Sequence, residues 1–237
     1  MTEIYIDFIE EMISMTTGKK KLLLGRISIA TVMGVLFASN AAFAGVSGNI
    51  GVTSNYLWRG VTQTNDQAAV QGGLDYEHAS GFSAGTWVSN LADGSYELDI
   101  YAGYGGEISG FSYDLGFISY QYPNNNDHFN EVSLGFGYGP AEFNVAYTIG
   151  SEDDNSPTFS KGDLYYSLGL SHELANGVGL GATIGQYDFD DPAGDDYSHA
   201  QISVSKSDFT FAVDKTMDLV GNDDVAVSVA WSKAFDF

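Results

Sequence analysis

The sequence predicts an all-β fold, a closed antiparallel up-and-down transmembrane β-barrel of about twelve strands. From Val46 onward the chain reads as short segments in which apolar and polar residues alternate, as in strands with two different faces. When the apolar face is placed outward, all the carboxylates within these segments fall on the inward face: Asp75, Glu77, Glu97, Asp99, Asp114, Glu131, Glu142, Asp163, Asp214 and Asp236. An apolar exterior around a polar interior is typical of a barrel with lipid outside and water inside.

Alternation fixes the expected strands in order. The first carries Val46, Ile50, Val52, Tyr56 and Trp58 on its outer face, opposite small polar residues. An even number of strands places both termini on the periplasmic side. The twelve expected segments are 46–58, 67–78, 82–90, 96–104, 111–120, 129–138, 141–149, 163–172, 178–187, 197–205, 209–217 and 225–237.

The connections support this order, because outer-membrane barrels have tight periplasmic turns and longer outer loops. Connections around 79–81, 139–140 and 206–208 are tight, and those at 105–110 and 173–177 are modest. They alternate with a generally longer set, which comprises 59–66, 91–95, 121–128, 150–162, 188–196 and 218–224. The longer set holds 14 acidic residues and the shorter set holds 3. One rim of the barrel is therefore expected to be acidic.

Aromatic residues give two further indications. The last segment places Trp231, Phe235 and Phe237 on its apolar face, and the chain ends on phenylalanine. This ending resembles the signal by which the bacterial barrel assembly machinery recognises its substrates. Aromatic residues also recur near strand ends, as interfacial girdles require; the expected girdle comprises Tyr56, Trp58, Tyr76, Tyr96, Tyr104, Tyr138, Tyr147 and Trp231.

The N-terminus predicts export from the cytoplasm. A basic stretch, an apolar run from Ile27 to Phe37 and small residues before Gly45 form a secretory signal peptide, assigned to 15–44. The acidic residues 1–14 do not suit a signal peptide, and we interpret them as a wrongly assigned start, with Met15 or Met12 as initiator, or as a leader. Residues 45–237 are left as the barrel domain.

Composition excludes several function classes. The mature chain keeps 27 acidic and 5 basic side chains and so carries the whole net charge of −22, which argues against nucleic acid as a partner. The chain has no cysteine, so it has no thiolate metal site and no thiol nucleophile. No cofactor and no metal site is expected, and outer-membrane lipid and lipopolysaccharide are the expected surroundings.

Several blocks, met in order, carry a family resemblance. The segments 54–63 (SNYLWRGVTQ), 71–76 (QGGLDY), 85–90 (GTWVSN), 96–104 (YELDIYAGY) and 120–123 (YQYP) resemble the TorF-family porin-like proteins of Gram-negative bacteria, also grouped as Gcw_chp. The likeness is densest over 45–125 and continues mainly as a pattern beyond it. It implies an outer-membrane porin-like barrel and leaves the solute undefined.

The candidate pore-lining residues are the inward acids, except the terminal Asp236, together with Tyr101 and Arg59. Further inward tyrosines, Tyr120, Tyr165, Tyr187 and Tyr197, join them in an expected water-lined lumen of negative potential, which favours cations. Arg59 is the only arginine of the mature chain, expected at the top of the first strand. Pairing with an inward carboxylate is favoured for it over gripping a solute. A plugged interior is the alternative, because twelve strands lie between filled and open barrels.

Two other sets of residues offer chemistry. The acidic segment 188–196 has oxygen ligands for a divalent cation but lacks the EF-hand spacing, so a solvated loop is favoured. His78 and His172 fall on the outer face, His128 in a loop, and His199 inward near Tyr197. None fixes a catalytic triad, so the chain is not expected to be an enzyme.

The sequence therefore predicts passive diffusion of small hydrophilic solutes or cations through an outer-membrane channel. A structural or surface-interaction barrel without useful conductance is the alternative. The sequence leaves open whether barrels associate as a homo-oligomer.

Overall fold

A computed structural model describes residues 44–124, 128–219, 221 and 223–237. The described residues form β-strands joined by turns and loops, and the period-two alternation sets which side chains face outward. The strands are β1 (Gly45–Thr53), β2 (Leu57–Trp58), β3 (Val61–Thr62), β4 (Ala69–Glu77), β5 (Phe82–Asn90), β6 (Tyr96–Ile108), β7 (Phe111–Gln121), β8 (Phe129–Tyr138), β9 (Ala141–Ser151), β10 (Leu164–Glu173), β11 (Val178–Asp188), β12 (Tyr197–Lys206), β13 (Phe209–Met217) and β14 (Val225–Asp236).

Twelve of these strands close into one antiparallel barrel, which confirms the predicted fold class. Each barrel strand pairs with its neighbours in the chain, and β1 pairs with β14 to close the sheet, with Val52 opposite Trp231. The remaining two strands, β2 and β3, form a separate two-stranded sheet between β1 and β4. Closure leaves no unpaired edge, which is the condition for a sheet to span a bilayer.

Short and long connections lie at opposite ends of the barrel. The tight turns lie at the end that also holds Gly45 and Phe237, and we call it the periplasmic end, following the rule for outer-membrane barrels. The connection expected to be modest at 105–110 is a two-residue turn, because β6 extends to Ile108. The longer loops, including 152–163 and 189–196, lie at the opposite end, which we call the outer end.

The outward face of the barrel is apolar and exposed. Val70, Leu74, Ile100 and Val229 are 60%, 53%, 50% and 48% exposed, whereas Glu97 on the opposite face is 2% exposed. Water would penalise an apolar belt of this size on a monomeric protein, and hydrocarbon removes that penalty. The barrel is therefore built to stand in a membrane. No helix in the described ranges is long and apolar enough to cross one.

A charge placed in this belt should destabilise the barrel according to its depth. Ile202, at the middle of β12, is 63% exposed, and Ile108, at the periplasmic end of β6, is 66% exposed. We expect Ile202→Arg to lower the free energy of unfolding by about 2–4 kcal/mol and Ile108→Arg by about 0–1 kcal/mol, because only the second guanidinium reaches interfacial water. Urea unfolding in lipid vesicles measures both, and equal losses would contradict a membrane belt at this height.

Six of the eight residues predicted for the aromatic girdle lie on the outer face of the barrel, and two do not. Tyr76, Tyr96, Tyr104, Tyr138 and Tyr147 are exposed on the outer face, and Trp231 is half-buried there. Tyr56 and Trp58 are buried instead, at 0% and 7% exposure. The reason is that β1 ends at Thr53, five residues before the predicted end of the first strand, and the chain then turns into the barrel.

The predictions for the N-terminus fall outside the part of the chain that the structure describes. They are the leader or wrongly assigned start at 1–14 and the signal peptide at 15–44, of which only Ala44 is described. The first described strand, β1, begins at Gly45, and the predicted boundary between signal peptide and barrel domain stays a prediction.

Candidate functional site

The segment 54–68, which we call the inner loop, leaves the wall after β1 and crosses the outer half of the lumen. It carries the β2–β3 pair, and Tyr56, Leu57, Trp58 and Arg59 within it are all buried. Tyr56 reaches β6, where its hydroxyl donates to Glu97 at 3.1 Å. The inner loop therefore narrows the interior of the barrel at its outer half.

Local hydrogen bonds fold the inner loop. The amide of Gln63 donates to the carbonyl of Tyr56 at 2.7 Å, and the amide of Tyr56 donates to Oγ1 of Thr64 at 3.1 Å. Asn55 Nδ2 donates to Asp66 at 2.7 Å. These bonds satisfy polar groups that would otherwise be buried without partners.

The tip of the inner loop requires glycine. Gly60 has φ of +85°, and a Cβ atom at this position would lie 2.7 Å from Cβ of His199 on β12 and 3.0 Å from Cγ2 of Thr216 on β13. Arg59 beside it also has positive φ, at 50°. A left-handed turn packed against β12 and β13 thus precedes the side chain of Arg59, which reaches Glu131 on β8.

Arg59 forms a buried two-pronged ion pair with Glu131 of β8. Its Nη1 and Nη2 atoms donate to Oε1 and Oε2 at 2.8 and 2.7 Å. Tyr120 also donates to Glu131, at 3.1 Å. Arg59 was predicted at the top of the first strand, but it lies in the turn between β2 and β3. Its side chain pairs with an inward carboxylate, which is the role that the sequence favoured over gripping a solute. Two parallel charge-assisted bonds hold the guanidinium in one orientation.

Aromatic rings surround this ion pair. The guanidinium carbon lies 4.4 Å from the ring centre of Trp58, 4.1 Å from that of Tyr165 and 5.1 Å from that of Tyr187. These rings belong to a larger cluster, which we call the aromatic plug: Trp58, Tyr120, Phe129, Phe159, Tyr165, Tyr187, Phe189 and Tyr197. Stacked pairs at 4.3 Å (Tyr120 with Phe129) and 4.5 Å (Tyr187 with Phe189) show close packing.

The aromatic plug corrects one expectation. Tyr120, Tyr165, Tyr187 and Tyr197 were expected to line a water-filled lumen, and they do face inward, but none is more than 9% exposed. The inner loop and Phe159 of the loop 152–163 fill the space in front of them. A phenol ring suits either setting, because it has an apolar body and a polar tip.

The predicted carboxylates fall into two groups. In the outer half, Glu97, Asp99, Glu131 and Asp214 are at most 2% exposed, and Asp214 accepts from Gln201 at 2.8 Å. Toward the periplasmic end, Glu77 and Asp114 are half-buried, Glu142 is exposed, and Asp75 accepts from Tyr101 and from Asn49. The terminal Asp236 is exposed.

Asp163 is not in a strand, as the sequence suggested, but directly before β10, where it joins two outer loops. Its carboxylate accepts the amides of Ser160 and Asp190, both at 3.0 Å. Burial raises the pKa of Asp163, and these amide donors oppose the rise. In the same loop, amide donors from Ser151 and Lys161 lower the pKa of Asp154.

The other candidate groups have local partners. In the acidic segment 188–196, Asp196 accepts the amide of Phe189 at 2.7 Å and Asp191 accepts the amide of Ala193 at 2.8 Å. Within 44–124, 128–219, 221 and 223–237, no three His, Asp or Glu side chains converge as a metal site would require. His199 is buried, with Nε2 at 2.9 Å from the hydroxyl of Tyr165.

Two cavities open above the aromatic plug at the outer end. The first, of about 280 Å³, is lined by aromatic rings and Asp195. The second, of about 360 Å³, is more polar, with Ser151, Asp153 and Ser156 in its wall. Gln63, Thr158 and Phe159 line both cavities and divide them.

The closed sheet, its apolar outer face and its polar inner face define an outer-membrane β-barrel protein. The structure is similar to KdgM porin, with a TM-score of 0.53 and 13% identity over 80% of this chain and 99% of that chain. It is also similar to a chain from work on the in-meso crystallization of membrane proteins, with a TM-score of 0.54 and 10% identity over 82% and 84%. At these identities the likeness concerns the fold.

The sequence matches the family Gcw_chp, described as bacterial proteins of unknown function, over residues 38–233. The chain belongs to this family, which confirms the resemblance drawn from its sequence blocks. No curated protein matches the sequence.

Proposed function

We propose that this protein is a narrow outer-membrane channel through which small hydrophilic solutes diffuse passively, with a preference for cations. The observation that carries the proposal is the charge on the inward face. The inward guanidinium of Arg59 is bound to Glu131. Eight carboxylates lie on the inward face along the described strands: Asp75, Glu77, Glu97, Asp99, Asp114, Glu131, Glu142 and Asp214.

This charge balance favours cations. Low-dielectric walls focus the field of carboxylates into the space between them, which raises the local concentration of cations and excludes anions. The half-buried Glu77 and Asp114 and the exposed Glu142 lie toward the periplasmic end, where they meet solvent that enters there. The inner loop and the aromatic plug form the narrowest region and set the size limit.

A second candidate function is a barrel without useful conductance that stabilises the outer surface or binds partners there. The close packing of the aromatic plug favours it, because eight rings and the inner loop occupy the outer half of the lumen. The acidic outer loops would then act on lipopolysaccharide, through divalent ions that bridge carboxylates and phosphates.

The last strand is proposed as the contact for the barrel assembly machinery. Phe235 and Phe237 are 45% and 77% exposed, their rings are 5.4 Å apart, and Trp231 shares one face of β14 with Phe235. Exposed aromatic rings at a chain end, on the strand that closes the barrel, suit recognition before insertion.

Conductance in planar bilayers separates the two functions. We expect discrete channel events and a reversal potential in a salt gradient that has the sign of cation selectivity. Replacing Asp75, Glu77, Asp114 and Glu142 together by their amides should move the reversal potential toward zero, since these half-buried or exposed acids meet solvent and the side-chain shapes are kept.

The matched control is Asp208→Asn, which removes a carboxylate from a periplasmic turn, where it pairs with Lys233 at 3.0 Å. This variant should keep the selectivity of the parent protein. Folded protein without channel events would favour the second function, and an unchanged reversal potential in the fourfold amide variant would show that these acids do not set selectivity.

A further inference from the structure

The smaller outer cavity, which we call the vestibule pocket, has a wall of aromatic rings. Trp58, Phe159, Phe189 and Tyr197 contribute to its lining, together with Val61 and Asp195. These rings come from the inner loop, from the loop 152–163, and from the loop 189–196 with the first residue of β12. Trp58 belongs both to this wall and to the set of rings around the guanidinium of Arg59.

The charge of the vestibule pocket is negative. Among its described lining residues Asp195 is the only charged one. Asp195 lies in the loop 189–196, whose other acids Asp191 and Asp196 accept backbone amides and so hold the loop in shape. A bound cation would therefore meet one carboxylate and several rings, with no positive side chain among the described residues of the wall.

The aromatic plug already binds one cation of the protein itself. The guanidinium of Arg59 lies within 4.1–5.1 Å of the centres of three rings. Its charge is balanced by Glu131 at 2.7 Å, so it leaves little net repulsion for a second cation in the vestibule pocket. The faces of aromatic rings attract cations, and quaternary ammonium groups are the ligands that cages of such rings recognise best.

We infer that the vestibule pocket binds small organic cations with an apolar body, of the quaternary ammonium class, as the first step of their passage. This rests on the proposed cation channel and names the class of solute it takes. A hydrated alkali ion gains less here, because mostly apolar walls cannot replace its water ligands. Anionic solutes are repelled by Asp195 and by the acidic rim.

Binding of choline by the purified, folded full-length protein in detergent micelles tests this inference without requiring conductance. The comparison ligand is 3,3-dimethylbutan-1-ol, which has the shape of choline and no charge. We expect choline to bind roughly tenfold more tightly by calorimetry, because only the cation gains from the rings and from Asp195. Equal affinities, tighter binding of glucose, or no choline binding at millimolar concentration would overturn the inference.

Two variants locate the site. Asp195→Asn and Phe189→Leu should each weaken choline binding several-fold and leave the binding of the neutral alcohol nearly unchanged. Asp190→Asn is the control, because it removes an exposed carboxylate from the same loop but not from the pocket wall. Heat modifiability on gels confirms that each variant is folded. Equal effects of Asp195→Asn and Asp190→Asn would overturn the inference, because choline would then respond only to the summed charge of the outer rim.

The outcomes also separate this inference from the channel itself. Choline binding by a barrel that shows no conductance would support the proposed binding pocket and overturn the proposed channel. Cation-selective conductance, with equal binding affinities for choline and the neutral alcohol, would support the proposed channel and overturn the proposed binding pocket.

Discussion

Arg59→Ala is expected to lower the free energy of unfolding by about 3–5 kcal/mol, because it leaves the carboxylate of Glu131 buried without its cation. Arg59 and Glu131 are 9% and 2% exposed, and the two hydrogen bonds between them are 2.8 and 2.7 Å long. Removal of the guanidinium also removes its contacts with three aromatic rings. Urea unfolding of the protein folded into lipid vesicles measures the loss.

Two comparisons show whether burial is the cause. Arg59→Met combined with Glu131→Gln should recover a large part of the stability, since neither replacement carries a charge into the interior. Lys233→Ala breaks the ion pair with Asp208, in which the Lys233 side chain is 56% and the Asp208 side chain 39% exposed. This variant should lower the free energy of unfolding by about 0–1 kcal/mol. If Arg59→Ala costs no more than Lys233→Ala, the buried pair does not hold the inner loop.

Removal of the inner loop is expected to raise single-channel conductance several-fold. Replacing residues 55–66 by a short glycine-serine turn takes the β2–β3 pair and Trp58 out of the outer half of the lumen. The barrel itself should remain, because the pairings of β1 with β4 and β14 lie below the deleted segment. The wider opening should also weaken selectivity, since solutes then pass farther from the inward charges.

A milder change keeps this prediction testable if the deletion does not fold. Trp58→Ala removes one ring of the aromatic plug and should raise conductance less than the deletion does. Tyr76→Ala removes an exposed ring from the outer face and is the matched control, with no expected effect on conductance. Conductance unchanged in both the deletion and Trp58→Ala would show that the inner loop is not the constriction.

The barrel was predictable from the sequence because lipid and enclosed water impose opposite demands on adjacent residues. Pairs such as Val70 and Gln71, or Leu74 and Asp75, differ so strongly in polarity that each strand has one register. The long and short connections then fix which end carries both termini. The strand count and most strand limits follow from these two constraints.

The inner loop was not predictable in the same way, because period two cannot tell an outward aromatic residue from one carried inward by a bend. Tyr56 and Trp58 keep the alternation of β1, although β1 ends at Thr53. Local signals were present: Gly60, and the pair Asn65–Asp66, all have positive φ, a conformation that glycine and asparagine adopt more readily than most residues. The single arginine among many acids was a further sign of a buried partner.

The contacts of the aromatic plug depend on long-range packing. Phe159 lies in a loop, and its ring packs against those of Trp58 and Phe129, which are far away in the sequence. No local sequence pattern indicates that residues of three loops and several strands pack together inside the outer half of the barrel. The same holds for Asp163, which alternation assigned to a strand and which binds two loops instead.

Side chains along one strand are expected to alternate between lipid and enclosed water, and spin labels on β4 measure this alternation. The chain has no cysteine, so single cysteines at Val70, Leu74, Asp75 and Glu77 each give one labelling position. In lipid vesicles, labels at Val70 and Leu74 should collide mainly with oxygen, and labels at Asp75 and Glu77 mainly with a water-soluble nickel complex. Similar accessibility at all four positions, or the reverse order, would show that β4 does not stand between lipid and enclosed water.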